Sequence, residues 1–585
     1  MSDEQKPAGP NPDPHPRDGE AQIGHAPADV EQMQYGKGPG SPQMRGPGDF
    51  AGHPKGLWVL FLTEMWERFS YYGMRALLVL YLVASTAELV GEKVNDNPGF
   101  GWMTEQAYVL YGVYTFMVYV TSIFGGLIAD RLLGTHRSML FGGWVIALGH
   151  ITLALTELFS YEKGSPVTME TGPGALLTFL FGLALIIIGT GFFKPCVSVM
   201  VGQLYPDKDP RRDSGFTIFY MGINLGAFLS PIIAGTLGET VGWHWGFGAA
   251  AVGMIAGLFS YQFLRPRYLK GVGDPPEERM SARDRKMVTL SMIGLLGTPL
   301  IPLLILIAGF LDEVLDAWGA FFDAVGTTGV ALICTAVLVA SVGWFLSMQP
   351  KEHRSRLGVI FILAIVGNLG FWIAFEQAGT TLNIFAAEST DRTIGGMLED
   401  PFPATWYQSV NSLTILLFAP VFGWLWVWLE KKRANPSSPM KFAIGLWLLG
   451  LAFIAMVFGA LDAQQGGLAA PYWLLITYVV VTWGELCLSP VGLSMVTKLA
   501  PKHLQSLMMG LWFFSFALSN LLAGLVAAIS VDFLPDPETG APAEKTFILD
   551  GLPGFFLLLV VIPIAVGVLI ALMTPMLKKM MRGVK

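Results

Sequence analysis

Two glutamates and two arginines interrupt a stretch of the chain that is apolar on both sides and long enough to cross a membrane. The polar residues of this stretch are Glu64, Glu67, Arg68, Tyr71, Tyr72 and Arg75. At about 100° per helical residue, all six fall on one face of a helix, within an arc of roughly 140°. Charged groups at the centre of a bilayer cost about 3 kcal/mol each even on permissive scales. The stripe is therefore predicted to line a water-filled cavity and to take part in function.

The composition of the whole chain is that of a polytopic membrane protein. Of its 585 residues, 53% are hydrophobic and 14% are charged, whereas about 25% of the residues of soluble domains are charged. A spanning helix needs about 20 apolar residues. Fourteen stretches qualify: 56–85, 105–129, 138–158, 175–203, 214–237, 245–264, 287–310, 326–347, 358–386, 405–429, 441–461, 471–497, 506–530 and 552–577. The predicted fold class is an all-α polytopic membrane protein.

The distribution of lysine and arginine predicts the orientation, because cytoplasmic loops retain the positive residues. The side that holds the loops 86–104, 159–174, 387–404 and 531–551 has only Lys93, Lys163, Arg392 and Lys545. Three more basic residues, Arg68, Arg75 and Lys194, lie in the interiors of spans, so 30 of the 37 belong to the opposite side, with the span ends that face it, and to the two tails. Both termini are therefore predicted to be cytoplasmic, in a multi-pass protein of the cell (inner) membrane.

Composition also divides the chain into segments. Residues 1–50 are predicted to form a disordered cytoplasmic tail, because they have too few large apolar residues to offset their chain entropy by burial. Residues 56–265 and 358–577 are predicted to form two six-helix bundles. Residues 266–357 combine a polar linker with two inserted spans that carry no charge in their interiors, and 578–585 is a basic cytoplasmic tail. Twelve core helices in two bundles are typical of a transporter with its site between the bundles.

A charged segment that contains glycines follows the second span. Its residues of interest are Gly126, Asp130, Arg131, Gly134 and Arg137. Glycine permits a tight turn and close helix packing, and the charged groups can link neighbouring helix ends. The segment resembles the loop between the second and third helices of the major facilitator superfamily. This resemblance implies the fold but not the substrate, because carriers of sugars, drugs and peptides share the loop.

The positive charges deep in the spans all belong to the first half of the chain. The first half offers Arg68, Arg75 and Lys194, whereas the second half offers only Glu376 and Glu485. A cavity between the bundles would therefore be electrically polarised. A ligand with a carboxylate at one end and an ammonium at the other would match that polarity.

The ammonium of Lys194 requires a partner in the membrane, and Glu64, Glu67 and Glu485 are the candidates. The same carboxylates could carry protons, because a glutamate that exchanges one partner for another changes its proton affinity. If a substrate carboxylate binds Arg68 or Lys194, the released glutamate can take a proton. An inward membrane potential would contribute about 2.3 kcal/mol per charge per 100 mV.

Amides and aromatic rings complete the predicted site. Amides that could bond a peptide group are Asn224, Gln408 and Asn411. Rings that could form apolar walls for varied side chains are Tyr72, Tyr111, Tyr119, Tyr220, Trp372 and Trp512. For any one of these rings taken alone, ordinary helix packing or a position at the membrane interface is the simpler explanation.

The motifs around these residues resemble those of the proton-dependent oligopeptide transporter family within the major facilitator superfamily. The first-helix signature, Glu-x-x-Glu-Arg-Phe-x-Tyr-Tyr, is present at 64–72, and the fifth-helix signature, Phe-Tyr-x-x-Ile-Asn-x-Gly, is present at 219–226. The segments 371–377, 407–411 and 485–492 match the signatures of the seventh, eighth and tenth core helices. The resemblance covers nearly all of 56–577, and the inserted pair of helices resembles that of bacterial members.

The family resemblance implies uptake of di- and tripeptides with protons by alternating access. Matched by position, the groups that hold the peptide carboxylate would be Arg68, Tyr72 and Lys194, and those that hold its amino end would be Asn224, Asn411 and Glu485. The proton-coupling carboxylates would be Glu64, Glu67, Glu376 and Glu485. Arg75 with Glu376 would form an extracellular gate pair.

Animal members of the family handle protons with a histidine in the second helix. This chain has Gly112 at that position, so no histidine relay is predicted. His150 is the only histidine well inside a core span. We expect it to be packed or hydrogen-bonded in the third helix.

Two other kinds of function stay open. A symporter of another small solute would use similar charges, since relatives in the family move nitrate and other molecules. A membrane enzyme or a receptor that does not translocate is the second kind, but the sequence has no HExxH motif, nucleophile elbow or phosphate loop. The chain is thus predicted not to be an enzyme and to need no cofactor or metal. Its predicted partners are peptides, protons and lipid, without nucleic acid or an obligate protein partner.

Overall fold

The computed structural model describes residues 49–90, 93–206, 209, 211–275, 280–308, 333, 335–501, 504–535, 543 and 545–583. The predicted disordered tail, 1–50, therefore lies outside the described residues except for its last two positions. The second inserted span, predicted at 326–347, is described mainly from residue 335 onward. Residues 584 and 585 of the predicted basic tail also lie outside the description.

The described part of the first half is built from six long helices. They are α1 (Lys55–Val83), α2 (Thr104–Ile128), α3 (Gly134–Ala154), α4 (Pro173–Gln203), α5 (Arg212–Ser230) and α6 (Trp243–Tyr268). Short turns extend three of them: Ala129–Leu133 after α2, Leu155–Leu158 after α3, and Pro231–Gly235 with Leu237–Val241 after α5. A small antiparallel pair, β1 (Leu89–Val90) and β2 (Lys93–Val94), connects α1 to α2.

The second half continues with helices of more varied length. They are α7 (Ala282–Ile307), α8 (Thr335–Ser347), α9 (Lys351–Ile362), α10 (Leu369–Phe375), α11 (Thr381–Glu388), α12 (Trp406–Lys431), α13 (Ser438–Gly466), α14 (Tyr472–Leu499), α15 (Gln505–Ile529) and α16 (Leu552–Met580). A π-helical turn, Leu363–Asn368, joins α9 to α10, and a 3-10 turn, Glu376–Gly379, joins α10 to α11. The span predicted at 358–386 is therefore a broken helix.

Within the described residues, eleven helical segments are long and apolar enough to cross a membrane. One of them, Thr104–Leu158, has 55 residues and contains two of the predicted spans, 105–129 and 138–158. Gly134 divides it at a φ of 73°, a conformation that favours glycine. These helices confirm the predicted all-α membrane fold, whereas the count of fourteen spans stays a prediction.

The buried apolar residues form separate cores in the two halves. The largest buried cluster lies entirely between Leu357 and Met581, and another lies entirely between Leu57 and Val272. A third cluster, centred on α1, α2 and α4, also includes Ile384 and Ala527 from the second half. We call α1–α6 the first bundle and α9–α16 the second bundle. The division at 56–265 and 358–577 stays a prediction.

Several connections meet at one end of the molecule. Thr86 donates to the carbonyl of Ser165 at 2.9 Å, and Asn97 donates to the carbonyl of Gly238 at 2.7 Å. In the second bundle, the backbone of Ala469 donates to that of Ser389 at 2.7 Å. We call this the outer end, after the orientation that the basic residues predict.

The first inserted helix, α7, packs against α2 and α4 at the periphery of the first bundle. Gly294 of α7 lies against the ring of Phe124 in α2, while Ile293, Ile301 and Leu304 are largely exposed. Beyond its charged first turn, the part of α7 from residue 287 to 307 has no charged residue, and such an apolar, exposed face suits contact with lipid. The first inserted helix thus lies at the outside of the first bundle, and the assignment of both inserted spans as additions to the core stays a prediction.

Candidate functional site

The polar face of α1 is buried, and its central arginine binds two carboxylates. Arg68 Nε lies 2.9 Å from Glu64 Oε1 and 2.6 Å from Glu67 Oε2. Glu64 and Arg68 are one helical turn apart, which brings their side chains together, and Glu67 is the residue before Arg68 in the chain. Only 1% of the surface of Glu67 is exposed. One guanidinium is thus shared by two glutamates.

Seven residues further along α1, Arg75 crosses to the other bundle. Its guanidinium pairs with Glu376, in the turn between α10 and α11, and donates to the hydroxyl of Tyr111. Tyr111 is fully buried, and its hydroxyl lies directly against Gly379. In this conformation Tyr111 therefore belongs to the contact between the bundles. This differs from the expectation that its ring forms a wall of an open cavity.

Lys194 contacts an aromatic ring instead of a carboxylate. Its ammonium lies 3.5 Å from the ring centroid of Tyr119 in α2, a cation–π geometry. The Tyr119 ring stacks on Phe516 of the second bundle, with centroids 6.5 Å apart. Within the described chain no carboxylate lies within ion-pair distance of Lys194.

The expectation that Lys194 pairs with Glu64, Glu67 or Glu485 is therefore wrong for this conformation. The physical reason is that Arg68 already binds the first two, while Glu485 is bound by an amide of its own bundle. A partly buried ammonium at the contact between the bundles is left without a counter-ion.

Glu485 of α14 is a buried carboxylate whose described partners are uncharged. Its Oε2 accepts a hydrogen bond from Asn411 Nδ2 at 3.0 Å, and Asn411 also donates to Thr482 Oγ1 at 2.9 Å. Only 8% of Glu485 is exposed. As far as the described residues go, no cation lies within ion-pair distance of this carboxylate. The second bundle therefore presents an anion without a counter-ion.

A small cavity separates the two bundles between these groups and the outer end. It has a volume of about 50 Å³ and is lined by residues of both bundles, among them Tyr72, Arg75, Gln408, Asn411 and Tyr478. Gln408 Nε2 is buried there without a hydrogen-bond partner in the described chain. Since one water occupies about 30 Å³ of liquid, this space has room for a water or two and not for a peptide.

The other predicted side chains of the site have different surroundings. Trp372 donates to Asn368 Oδ1 at 2.9 Å and lies against the ring of Phe516, and all three residues belong to the second bundle. Asn224 donates to the carbonyl of Tyr220 at 2.9 Å, while the Tyr220 side chain is 40% exposed. Asn224 and Tyr220 thus lie on the same face of α5.

Trp512 requires a correction. It was expected to form a cavity wall, but only 1% of its surface is exposed. Its ring packs edge-on against Phe442 of α13 and fills the space beside Gly492 of α14. Trp512 is a core residue of the second bundle, because the face of α15 that bears it points into that bundle.

Two helices of different bundles cross at Gly112, where a histidine would stand in animal relatives. A Cβ atom added there would lie 2.9 Å from the Cα atom of Gly524 and 3.1 Å from the carbonyl of Leu521. A larger side chain has no room at this crossing. His150 is fully buried and bonded to Ser70 Oγ at 2.7 Å, as predicted.

The charged segment after α2 forms a turn at the end opposite to the outer end. A Cβ on Gly134 would lie 2.6 Å from the backbone nitrogen of Pro275, so only glycine fits. Gly126 faces the Pro195 ring. Arg131 pairs with Asp284 near the start of α7, whereas Asp130 and Arg137 are in no ion pair between described residues. The predicted link between helix ends thus involves the inserted helix.

Sequence reasoning missed a set of hydrogen bonds that joins the bundles. Asn383 donates to the carbonyl of Ala76 at 2.9 Å, and Ser409 donates to that of Phe228 at 2.8 Å. Glu239 accepts hydrogen bonds from the backbone of Ala404 and Thr405, the two residues that precede α12. All hydrogen bonds between described residues of the two bundles lie in the outer half of the molecule. The only signal in the sequence was the charge of Glu239 next to the fifth span.

Two packed helical bundles with uncompensated opposite charges at their contact define a membrane transporter of the major facilitator type. The model of the POT family matches residues 136–540. The uncharacterized transporter YclF of Bacillus subtilis is 38% identical over 92% of this chain and 96% of its own length. A di-/tripeptide transporter of Lactococcus lactis is 36% identical over 82% of this chain and 90% of its own.

Solved structures agree with these relatives. The crystal structure of the peptide transporter POT in complex with sulfate covers 94% of this chain and 99% of its own, with 35% identity and a TM-score of 0.73. The chain belongs to the POT family, as the motifs in its first, fifth, seventh, eighth and tenth core helices indicated.

Proposed function

We propose that this protein imports di- and tripeptides together with protons by alternating access, with its outer end facing away from the cytoplasm. One observation carries the proposal: Lys194 in the first bundle and Glu485 in the second are opposite charges without counter-ions, close to the contact between the bundles. Leaving such charges unpaired in a membrane protein is costly. A zwitterion between the bundles would compensate both.

Each end of the peptide would be recognised by the bundle of opposite charge. The carboxylate would bind Lys194 and Arg68, with Tyr72 beside them. The ammonium would bind Glu485, supported by Asn411, which already donates to that carboxylate. The free amide donor of Gln408 could bond a peptide carbonyl, and Asn224 would act near the amino end.

Proton coupling would follow from the sharing of Arg68 by two glutamates. When the substrate carboxylate binds Arg68, Glu64 or Glu67 loses part of its counter-charge and accepts a proton from the open side. When the substrate leaves, Arg68 pairs again with that glutamate and the proton is released on the other side. Glu376 would act by exchanging Arg75 for a proton when the outer end opens.

The test is uptake into proteoliposomes with an inward proton gradient. Lys194→Ala and Glu485→Gln should each lower the initial rate of dipeptide uptake by about tenfold or more, since loss of one partner of a buried charged pair costs about 2–5 kcal/mol. Lys441→Ala is a matched control, because Lys441 also lies over an aromatic ring, that of Trp426, but inside the second bundle. Uptake that is unaffected by the gradient would refute proton coupling.

A further inference from the structure

The carboxylate of Glu239 binds backbone groups of the other bundle. Glu239 lies in the turn Leu237–Val241 after α5. Its two oxygens accept hydrogen bonds from Ala404 N at 2.8 Å, Thr405 N at 2.9 Å and Thr405 Oγ1 at 2.6 Å. The side chain is 13% exposed. Three donors of the second bundle thus converge on one anion of the first.

These donors sit at the N-terminus of α12. The first N–H groups of a helix have no partner within it, and the helix dipole places partial positive charge there. Thr405 is the N-cap of α12, but its side chain makes no capping bond to its own helix. Glu239 caps α12 from outside the bundle to which α12 belongs. Bonds of this charged type are about twice as strong as neutral ones.

The loop before α12 holds these donors in place. Arg392 donates to the carbonyls of Phe402 at 2.7 Å and Ala387 at 3.2 Å, and its Nη1 lies 3.8 Å from Glu239 Oε2. The loop is therefore tied across its own length, and its arginine adds positive charge next to the carboxylate. Nearby, Trp406 Nε1 donates to Thr236 Oγ1 at 2.8 Å.

We propose that Glu239 is a second gate residue, which holds the outer end closed by capping α12 across the contact between the bundles. It acts at the contact of α5 with α12, whereas the Arg75–Glu376 pair acts at the contact of α1 with the turn between α10 and α11. The inference rests on the proposed function only in calling this closure a gate. Opening of the outer end must break all three hydrogen bonds at once.

The test is the distance between spin labels at the outer end of the full-length protein in nanodiscs. Labels would replace exposed Leu158 in the first bundle and Leu468 in the second, in a background without the cysteines at 196, 334 and 487. Glu239→Gln should raise the ratio of molecules with a long distance between the labels to molecules with a short distance by about tenfold. This is the change in equilibrium expected when charge-assisted hydrogen bonds that stabilise the closed state are lost. Thr405→Val, which removes one of the three donors, should shift it less in the same direction.

Asp462→Asn is the matched control. Asp462 Oδ2 also accepts bonds at the start of a helix, from Ala470 N at 2.9 Å and Trp473 Nε1 at 3.2 Å, but within the second bundle. Asp462→Asn should lower thermal stability and leave the distances between the spin labels unchanged. If Glu239→Gln and Thr405→Val leave the distances as in the parent, or if Asp462→Asn shifts them equally, the proposal is overturned. Dipeptide uptake by the parent, measured in parallel, shows separately whether the proposed function fails.

Discussion

At the scale of the residue, the arrangement around Arg68 links the proposed carboxylate-binding group to the two glutamates proposed to take up protons. Arg68 holds Glu64 and Glu67 at 2.9 and 2.6 Å, and all three lie on α1. Their geometry is fixed by the helix and does not depend on how the bundles are placed. A ligand carboxylate can enter this cluster only by competing with one of the glutamates. We infer that competition of this kind connects peptide binding to proton uptake.

Glu67→Gln should separate transport from coupling. The amide cannot take up the proton that a released Glu67 would accept, while Arg68 keeps Glu64 as a partner. Accumulation of dipeptide against its gradient should fall toward equilibrium, whereas exchange of internal for external dipeptide without a proton gradient should continue at close to the parental rate. The measurement is paired accumulation and counterflow in proteoliposomes. A variant that accumulates dipeptide as the parent does would contradict a role of Glu67 in coupling.

At the scale of the element, the contact between α2 and α15 depends on two glycines. The backbones of Gly112 and Gly524 are so close that a Cβ on Gly112 would lie 2.9 Å from the Cα of Gly524. The crossing lies between the Arg75–Tyr111 contact and the Tyr119–Phe516 stack. It therefore positions both the Arg75–Glu376 pair and the ring that contacts Lys194.

Gly112→Leu should separate the bundles at this crossing. Overpacking of a tight contact costs about 1–3 kcal/mol, so we expect a thermal midpoint lower by several degrees and strongly reduced uptake. The matched control is Gly423→Leu in α12, where a Cβ would meet no atom within 4 Å. Thermal unfolding in detergent and uptake in proteoliposomes measure the two effects. If Gly112→Leu and Gly423→Leu changed the thermal midpoint and the uptake rate equally, the contact at Gly112 would not be specifically required.

Sequence patterns predicted the elements better than their interruptions. Most of the long helices end within a few residues of the predicted spans, because hydropathy and length decide whether a segment crosses a membrane. The π-helical turn Leu363–Asn368 and the 3-10 turn Glu376–Gly379 were not predicted. Such breaks depend on packing against neighbouring helices, about which local sequence carries little information.

The residues of the candidate site were likewise predictable only in part. The buried charges of α1, Lys194 and Glu485 could be identified because a charge in an apolar span is rare and costly. The core position of Trp512 could not, since composition does not tell which face of α15 points to the other bundle. The bond from Glu239 to Thr405 joins residues 166 positions apart. It forms between residues of different bundles, so no local pattern predicts it.

At the scale of the whole molecule, the two bundles meet through polar contacts that are concentrated toward the outer end. Arg75 with Glu376 and Glu239 with α12 close that end, and the cavity beneath them has room for water alone. Opposite charges remain unpaired further from this end, one on each bundle. This distribution is what a carrier closed to one side and awaiting a two-ended ligand requires.

Competition for dipeptide uptake by modified peptides tests this account most directly. Unlabelled dialanine should compete with a labelled dipeptide, whereas N-acetyl-dialanine, which lacks the ammonium, and dialanine amide, which lacks the carboxylate, should each compete far more weakly. In Glu485→Gln, dialanine and N-acetyl-dialanine should become more similar in how strongly they inhibit uptake of the labelled dipeptide. Dialanine should still inhibit uptake more strongly than dialanine amide does. If either blocked peptide competes as well as dialanine in the parent protein, recognition by two opposite charged poles is contradicted.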